Sequence, residues 1–229
     1  MARPVAPPPG EARQDWELIQ DLANRLGLNW TYSHPSDVFT EMVEVMPSLK
    51  NISWARLVRE DAVTYPVDGP DVPGNEILFA EGFPTDDGRA KIVPAGLVPP
   101  DELPDGDYPL VLTTGRMLEH WHTGAMTRRA SVLDTLEPEA IASLNPRQLS
   151  MMGLQAGDSV KVSTRRGEIA LAVRADRDVP EGMVFIPFCF NEAAANMLTN
   201  PQLDPFGKIP EFKFCAAKVE KIEAFVAAE

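Results

Sequence analysis

The residues best suited to chemistry lie between Leu112 and Arg129, which read Leu-Thr-Thr-Gly-Arg-Met-Leu-Glu-His-Trp-His-Thr-Gly-Ala-Met-Thr-Arg-Arg. Two of the chain's 3 histidines, His120 and His122, fall here with Thr114, Thr123, Thr127, Arg116 and a glycine, Gly115, that lets the backbone turn or approach a ligand. Hydroxyl and imidazole groups both donate and accept, and a guanidinium presents a planar fork of donors. Together they suit an anionic ligand rich in heteroatoms. Each residue also has a plainer reading. Thr-Thr-Gly can be an ordinary turn, and Arg116 an exposed ion pair worth little. In an extended segment the i, i+2 spacing of His120 and His122 puts them on one face, as a polar edge strand would. Adjacent arginine side chains usually diverge, so at most one of Arg128 and Arg129 is expected at a ligand. A zinc site would have to recruit Cys189 or Cys215, and closely spaced Cys/His ligands are missing, so no residue is assigned to a metal.

A second cluster lies near the C-terminus. Asn196 follows the small residues Ala193 to Ala195, which permit close approach of backbone to a ligand, and Lys213 sits in Lys208-Ile-Pro-Glu-Phe-Lys-Phe-Cys-Ala216. The plain alternatives are an exposed Asn on an ordinary helix and a surface lysine in a strand. Phe188, in the apolar run before them, reads equally well as core. Cys189 and Cys215 read as small buried apolar residues.

In this order, Thr-Thr-Gly-Arg, His-Trp-His-Thr-Gly, Met-Thr-Arg-Arg, Ala-Ala-Asn-Met-Leu-Thr, Asp204-Pro205 and Lys-Ile-Pro-Glu-Phe-Lys-Phe-Cys-Ala resemble the C-terminal domain of molybdopterin guanine dinucleotide oxidoreductases. From about Glu11 onward the chain is similar to the C-terminal part of a formate dehydrogenase catalytic (alpha) subunit. The resemblance implies a bis-molybdopterin guanine dinucleotide carrying molybdenum or tungsten. It implies Thr114, Gly115, Arg116, His120, His122, Thr123, Thr127, Phe188, Asn196 and Lys213 as cofactor-binding residues, the histidines lying against the pterin and phosphate parts. It also implies oxidation of formate to carbon dioxide in the full-length enzyme. In the family the metal ligand and the iron–sulfur clusters belong to upstream sequence, so no residue here is assigned a catalytic role, and the chain alone is expected not to turn over formate. The implied partners are the upstream remainder of the catalytic subunit and iron–sulfur or flavin electron-transfer subunits. A nitrate reductase-type molybdoenzyme is the alternative within the family, and a free-standing barrel acting as a binding or interaction module is the alternative outside it.

The bulk properties set limits. The chain has 229 residues, 44% of them hydrophobic, and a net charge of −13. Residues 1–107 hold 19 acids against 8 bases, and residues 108–229 hold 15 against 13. An acidic chain offers little to a polyanionic backbone, so nucleic acid is not an expected partner. With 2 cysteines and no Cys-x-x-Cys pair, the chain builds neither a disulfide scaffold nor an iron–sulfur site of its own. No apolar run is long enough for a membrane helix, and the Pro-rich opening lacks a signal peptide's apolar core, so a cytoplasmic location is expected.

The elements that must position these residues divide at about residue 107. Residues 1–107 read as a helical and loop-rich remnant of an α/β domain plus a linker. Helices are expected over Glu11 to Leu28, from a Ser36 cap to Val45, and over Asn51 to Leu57; strands are expected at Glu76 to Phe79 and Ala90 to Val93. Trp16, Ile19, Leu22, Ala23 and Leu26 share a face with no evident sheet to cover it. Residues 108–229 read as a β-barrel: strands at Tyr108 to Leu112, Ile141 to Leu144, around Val160 and Val162, through Ile169, Leu171 and Val173, and over Met183 to Phe190. A short helix capped by Asn145-Pro146 runs to Met151, and Arg165-Arg166-Gly167 is a hairpin turn. The fold class is therefore mixed α+β, a C-terminal barrel after a partial α/β segment. The resemblance makes that barrel a double-psi barrel.

Overall fold

A computed structural model describes residues 1–223, which form two compact units, Met1–Pro94 and Ala95 onward. The first unit is helical. Helix α1 spans Asp15–Arg25, and Gly27, at φ +92°, follows its end. Helix α2 spans Pro35–Val45 and is capped by His34 rather than Ser36: the Ser36 N–H donates to His34 Nδ1 at 3.1 Å. Pro35 explains the shift, because its fixed φ suits the first helical position and moves the cap one residue upstream of it. Helix α3, Trp54–Glu60, begins later than Asn51 because the Ser53 hydroxyl accepts the Arg56 N–H at 3.1 Å.

Leu49, Ile52 and Val67 make a small core with Phe39, Val43, Leu57 and Val63 packed against it. Buried Arg56 ties α3 to the loop that follows it, donating to Glu60 at 3.0 Å and to the carbonyls of Gly69 and Val72 at 3.1 and 2.7 Å. On α1 only Ala23 is buried, while Ile19, Leu22 and Leu26 are exposed, so the helix carries an uncovered apolar stripe as its spacing suggests.

The strands expected at Glu76–Phe79 and Ala90–Val93 do not form. Backbone hydrogen bonds there close locally instead, Phe83 N–H to Gly88 O and Gly88 N–H to Thr85 O, each at 3.0 Å. With no neighbouring strand to pair with, β-propensity alone does not order these residues.

The second unit holds a closed six-stranded barrel. Its strands are β1 Leu110–Gly115, β2 Ile141–Leu144, β3 Ser159–Ser163, β4 Glu168–Ala175, β5 Met183–Pro187 and β6 Cys215–Lys221, ordered β1-β5-β2-β4-β3-β6 around the ring. β1 pairs with β5, and β2 with β4, in parallel; the other four neighbours are antiparallel. Closure leaves no free sheet edge. Alternate residues point inward: Leu110 and Leu112, Val160 and Val162, Ile169, Leu171 and Val173, Val184 and Ile186, and Cys215, Ala217 and Val219. Each fully buried Leu, Ile or Val contributes about 1.5–3 kcal/mol.

β1 does not stop at Leu112. It continues through Thr113 and Thr114 to Gly115 because β5 runs alongside, with Gly115 opposite Pro187. β5 in turn ends at Pro187 rather than Phe190, opposite the last residue of β1, Gly115. Helices α4, Ser131–Leu136, and α5, Pro146–Met151, lie between β1 and β3 in sequence. Asn145 caps α5 by accepting the Arg147 N–H at 3.0 Å while donating to Val179 O at 3.0 Å.

Candidate functional site

The strand directions bring both sequence clusters to one end of the barrel. β1, β3 and β5 finish at this end, and β2, β4 and β6 start there. The loop after β1, the Arg165-Arg166-Gly167 hairpin, the segment after β5 and the entry to β6 therefore share one rim.

Several expected site residues frame this rim. Thr114 is buried, its hydroxyl donating to Phe212 O at 2.9 Å, while its own carbonyl accepts Lys213 Nζ at 3.1 Å. Gly115 is required by packing, because a Cβ there would lie 2.5 Å from Phe185 Cε2. Its carbonyl accepts the Phe188 N–H at 3.1 Å, which extends the β1–β5 pairing by one bond. His120 is only 1% exposed. Its Nε2 lies 2.8 Å from Glu137 O, an acceptor, which fixes the ring proton on Nε2 and leaves Nδ1 to accept from the Thr127 hydroxyl at 3.3 Å. Thr127 Oγ1 also accepts the Trp121 N–H at 2.9 Å, and Phe190 packs edge-on to the imidazole at 5.6 Å. Both nitrogens of His120 are thus committed within the loop.

The others face outward. Arg116 and Thr123 are exposed, and neither side chain has a partner among the described residues. His122 is exposed at φ +51°, its ring edge-on to Phe188 at 5.3 Å. His120 and His122 do not share a face, because this positive φ turns the chain between them. Phe188 is half-buried against the core and forms the apolar floor under His122. Asn196 lies exposed in a short 3-10 turn, Ala195–Met197, with its amide unpartnered among the described residues. Lys213 falls in a turn, not a strand, since β6 begins only at Cys215.

The arginine pair is spent elsewhere. Arg128 donates to Asp134 at 3.1 Å, Glu192 at 2.5 Å and Pro138 O at 3.3 Å, and lies 4.7 Å over the Phe190 ring. Arg129 donates to Ala125 O. Burial raises the thiol pKa of both Cys189 and Cys215, so both stay protonated, and no cluster of metal-ligating side chains occurs among the described residues. Sequence reasoning missed Glu102, half-hidden in an acidic linker, which joins Arg165, Arg166 and the Ala216 N–H. Burial works to raise its pKa, but the two guanidiniums and the N–H outweigh this and hold the carboxyl below its ordinary range. Nothing in its local sequence marks it, because its partners are distant in the chain.

The rim thus presents a guanidinium, an ammonium, an imidazole, a hydroxyl and a primary amide around an aromatic floor. That set can bind phosphate oxygens through charge-assisted bonds and can meet the edge of a polar heteroaromatic ring. The donor chemistry fits a pterin dinucleotide.

Residues 110–216 match the family model described as Molydopterin dinucleotide binding domain. Over 224 residues the chain is 42% identical to the F420-dependent formate dehydrogenase subunit alpha of Methanocaldococcus jannaschii, covering 97% of this chain and 33% of that protein. It is 34% identical over 222 residues to the assimilatory nitrate reductase catalytic subunit of Bacillus subtilis, covering 93% of this chain and 31% of that one. Among solved structures, acetylene hydratase from Pelobacter acetylenicus has the same fold, with a TM-score of 0.68 at 22% identity over 96% of this chain and 34% of its own. The chain spans about a third of the length of the curated relatives it matches.

Proposed function

We propose that this chain, whose residues 110–216 match the molydopterin dinucleotide binding domain model, forms the dinucleotide-binding portion of a molybdenum or tungsten formate dehydrogenase catalytic subunit. The observation that carries the proposal is the rim itself: the outward side chains of Arg116, Thr123 and Asn196, without partners among the described residues, beside the Lys213 ammonium, on the barrel whose sequence matches that family model. Formate dehydrogenase is favoured over nitrate reductase by the higher identity to the former, 42% against 34%. In the complete enzyme the bis-molybdopterin guanine dinucleotide supplies two-electron chemistry at its metal, oxidising formate to carbon dioxide.

This chain's residues position that group. Arg116 and Lys213 neutralise phosphate charge, and Thr123 and Asn196 complete the hydrogen bonds. His122, braced on Phe188, meets the ring system. Thr114, Gly115, His120 and Thr127 act one step back, holding the loop that presents these groups. The two parallel pairs within a six-stranded closed ring support reading the barrel as double-psi. The remainder of the catalytic subunit, iron–sulfur or flavin electron-transfer subunits, and a cytoplasmic location belong to the same proposal.

The chain itself permits a test. Titrating isotope-labelled protein with guanosine diphosphate should shift backbone amide signals at Arg116, His122, Thr123, Asn196 and Lys213, and Arg116→Ala should weaken that binding about 10-fold, the loss of one charge-assisted bond. Shifts confined to the Leu154–Asp158 turn, at the opposite end of the barrel, would place the site elsewhere.

A further inference from the structure

Asn196 projects from a segment with little regular structure, yet that segment is tied down on two sides. Gly167, in the β3–β4 hairpin, lies so close that a Cβ there would sit 3.0 Å from Met197 O. The next carbonyl, Leu198 O, accepts from both the Thr164 hydroxyl at 2.9 Å and Arg166 Nη2 at 3.3 Å. On the far side the Asn200 N–H lies 3.1 Å from Cys215 Sγ, at the start of β6.

One carboxylate joins these pieces. Glu102, with a side chain 12% exposed, accepts Arg166 Nη2 at 2.7 Å and Arg165 Nη1 at 2.5 Å. The same group accepts the Ala216 N–H at 3.2 Å, just after the turn that carries Lys213. It therefore meets the hairpin that grips Leu198 and the strand entry that follows Lys213. Arg166 Nε is buried without a partner, so the guanidinium is not kept there for its own stability. A single guanidinium nitrogen, Nη2, reaches a carboxylate and a carbonyl at once and so sets the distance between them; replacing such enclosed pairs by apolar groups is often neutral for stability.

We propose that Glu102, acting through Arg166, is a positioning residue that fixes the Asn196 segment and the entry to β6 in the geometry the cofactor rim requires. This rests on the reading of Asn196 and Lys213 as ligand-facing. Glu102 and Arg166 touch no ligand; they set the spacing between groups that do.

The test combines hydrogen exchange with guanosine diphosphate affinity on the whole chain. The Met197 and Leu198 amides donate to Ala194 O and Ala195 O, each at 3.0 Å, and report whether the segment is held. Glu102→Gln, which keeps shape and removes charge, should speed exchange at these two amides about 10-fold, leave the β1 and β5 amides unchanged, and weaken guanosine diphosphate binding several-fold. Arg166→Lys, which keeps the charge but loses the planar guanidinium and its reach, should do the same. Asn196→Ala should weaken binding without changing exchange. If Glu102→Gln and Arg166→Lys leave exchange and affinity unchanged, or speed exchange equally throughout the barrel, the positioning role is refuted. If only Asn196→Ala fails to weaken binding, the ligand role of Asn196 falls, and with it the function proposed for the clamp.

Discussion

His120→Ala is expected to destabilise the barrel unit by about 3–5 kcal/mol, whereas His122→Ala should change stability by no more than about 0.5 kcal/mol. The difference follows from where the two rings lie. The His120 side chain is fully enclosed, packed on Phe190, with its nitrogens on Glu137 O and Thr127 Oγ1. Truncation leaves a cavity and strands the Glu137 carbonyl without its donor. His122 loses only an exposed edge-on contact with Phe188. Denaturant unfolding of the two variants beside the parent chain measures both. Equal midpoints for the two would mean that His120 is not part of the packed structure.

Gly124→Ala should cost about 2–5 kcal/mol, from two sources that a control separates. Gly124 has φ +75°, where an L side chain costs about 1–2 kcal/mol. Its Cβ would also lie 2.7 Å from the backbone carbonyl of Cys189 and 2.9 Å from Arg128 Cγ, and forcing atoms into such packing costs about 1–3 kcal/mol. Gly153 shares the positive φ, at +67°, but has nothing within 4 Å of a Cβ. Gly153→Ala should therefore lose only the conformational part. Unfolding midpoints that fall together for the two variants would show that the β1 loop has room to move away from Cys189.

What was legible in the sequence follows from what is local. The alternation of Val160 with Val162, and of Ile169, Leu171 and Val173, gives β3 and β4 directly, because each inward residue repeats every second position. Ile141–Leu144 and the Asn145-Pro146 start of α5 are visible for the same reason: the strand is a short apolar run and the cap is a specific side chain. The family motifs likewise mark the loops that the fold brings to one rim.

Non-local pairing was not legible. That β1 continues to Gly115 depends on β5, which pairs with it from a distant part of the chain. Ile77 and Ile92 have strand-forming neighbours but no partner strand, and remain exposed. The two histidines look equivalent by spacing, but the chain bends at Leu118 to His120 and takes a positive φ at His122, which puts one ring inward and the other outward. Lys213 precedes β6 rather than lying within it, which frees its ammonium to reach Thr114 O.

The most direct test of the cofactor rim is the metal and guanine nucleotide content of the full-length enzyme proposed above. Arg116→Ala and Asn196→Ala each remove an outward donor that has no protein partner among the described residues, so thermal unfolding should stay near that of the parent enzyme. Each lost bond should weaken cofactor binding by about 1–3 kcal/mol, roughly 5- to 150-fold. Many contacts share the load, so both variants should purify with substoichiometric metal and guanine nucleotide rather than none. Lys161→Ala, whose side chain pairs with Glu168 beside β3 and β4, should retain the full complement. Full metal and nucleotide in both rim variants, with loss in Lys161→Ala, would contradict the placement of the binding face.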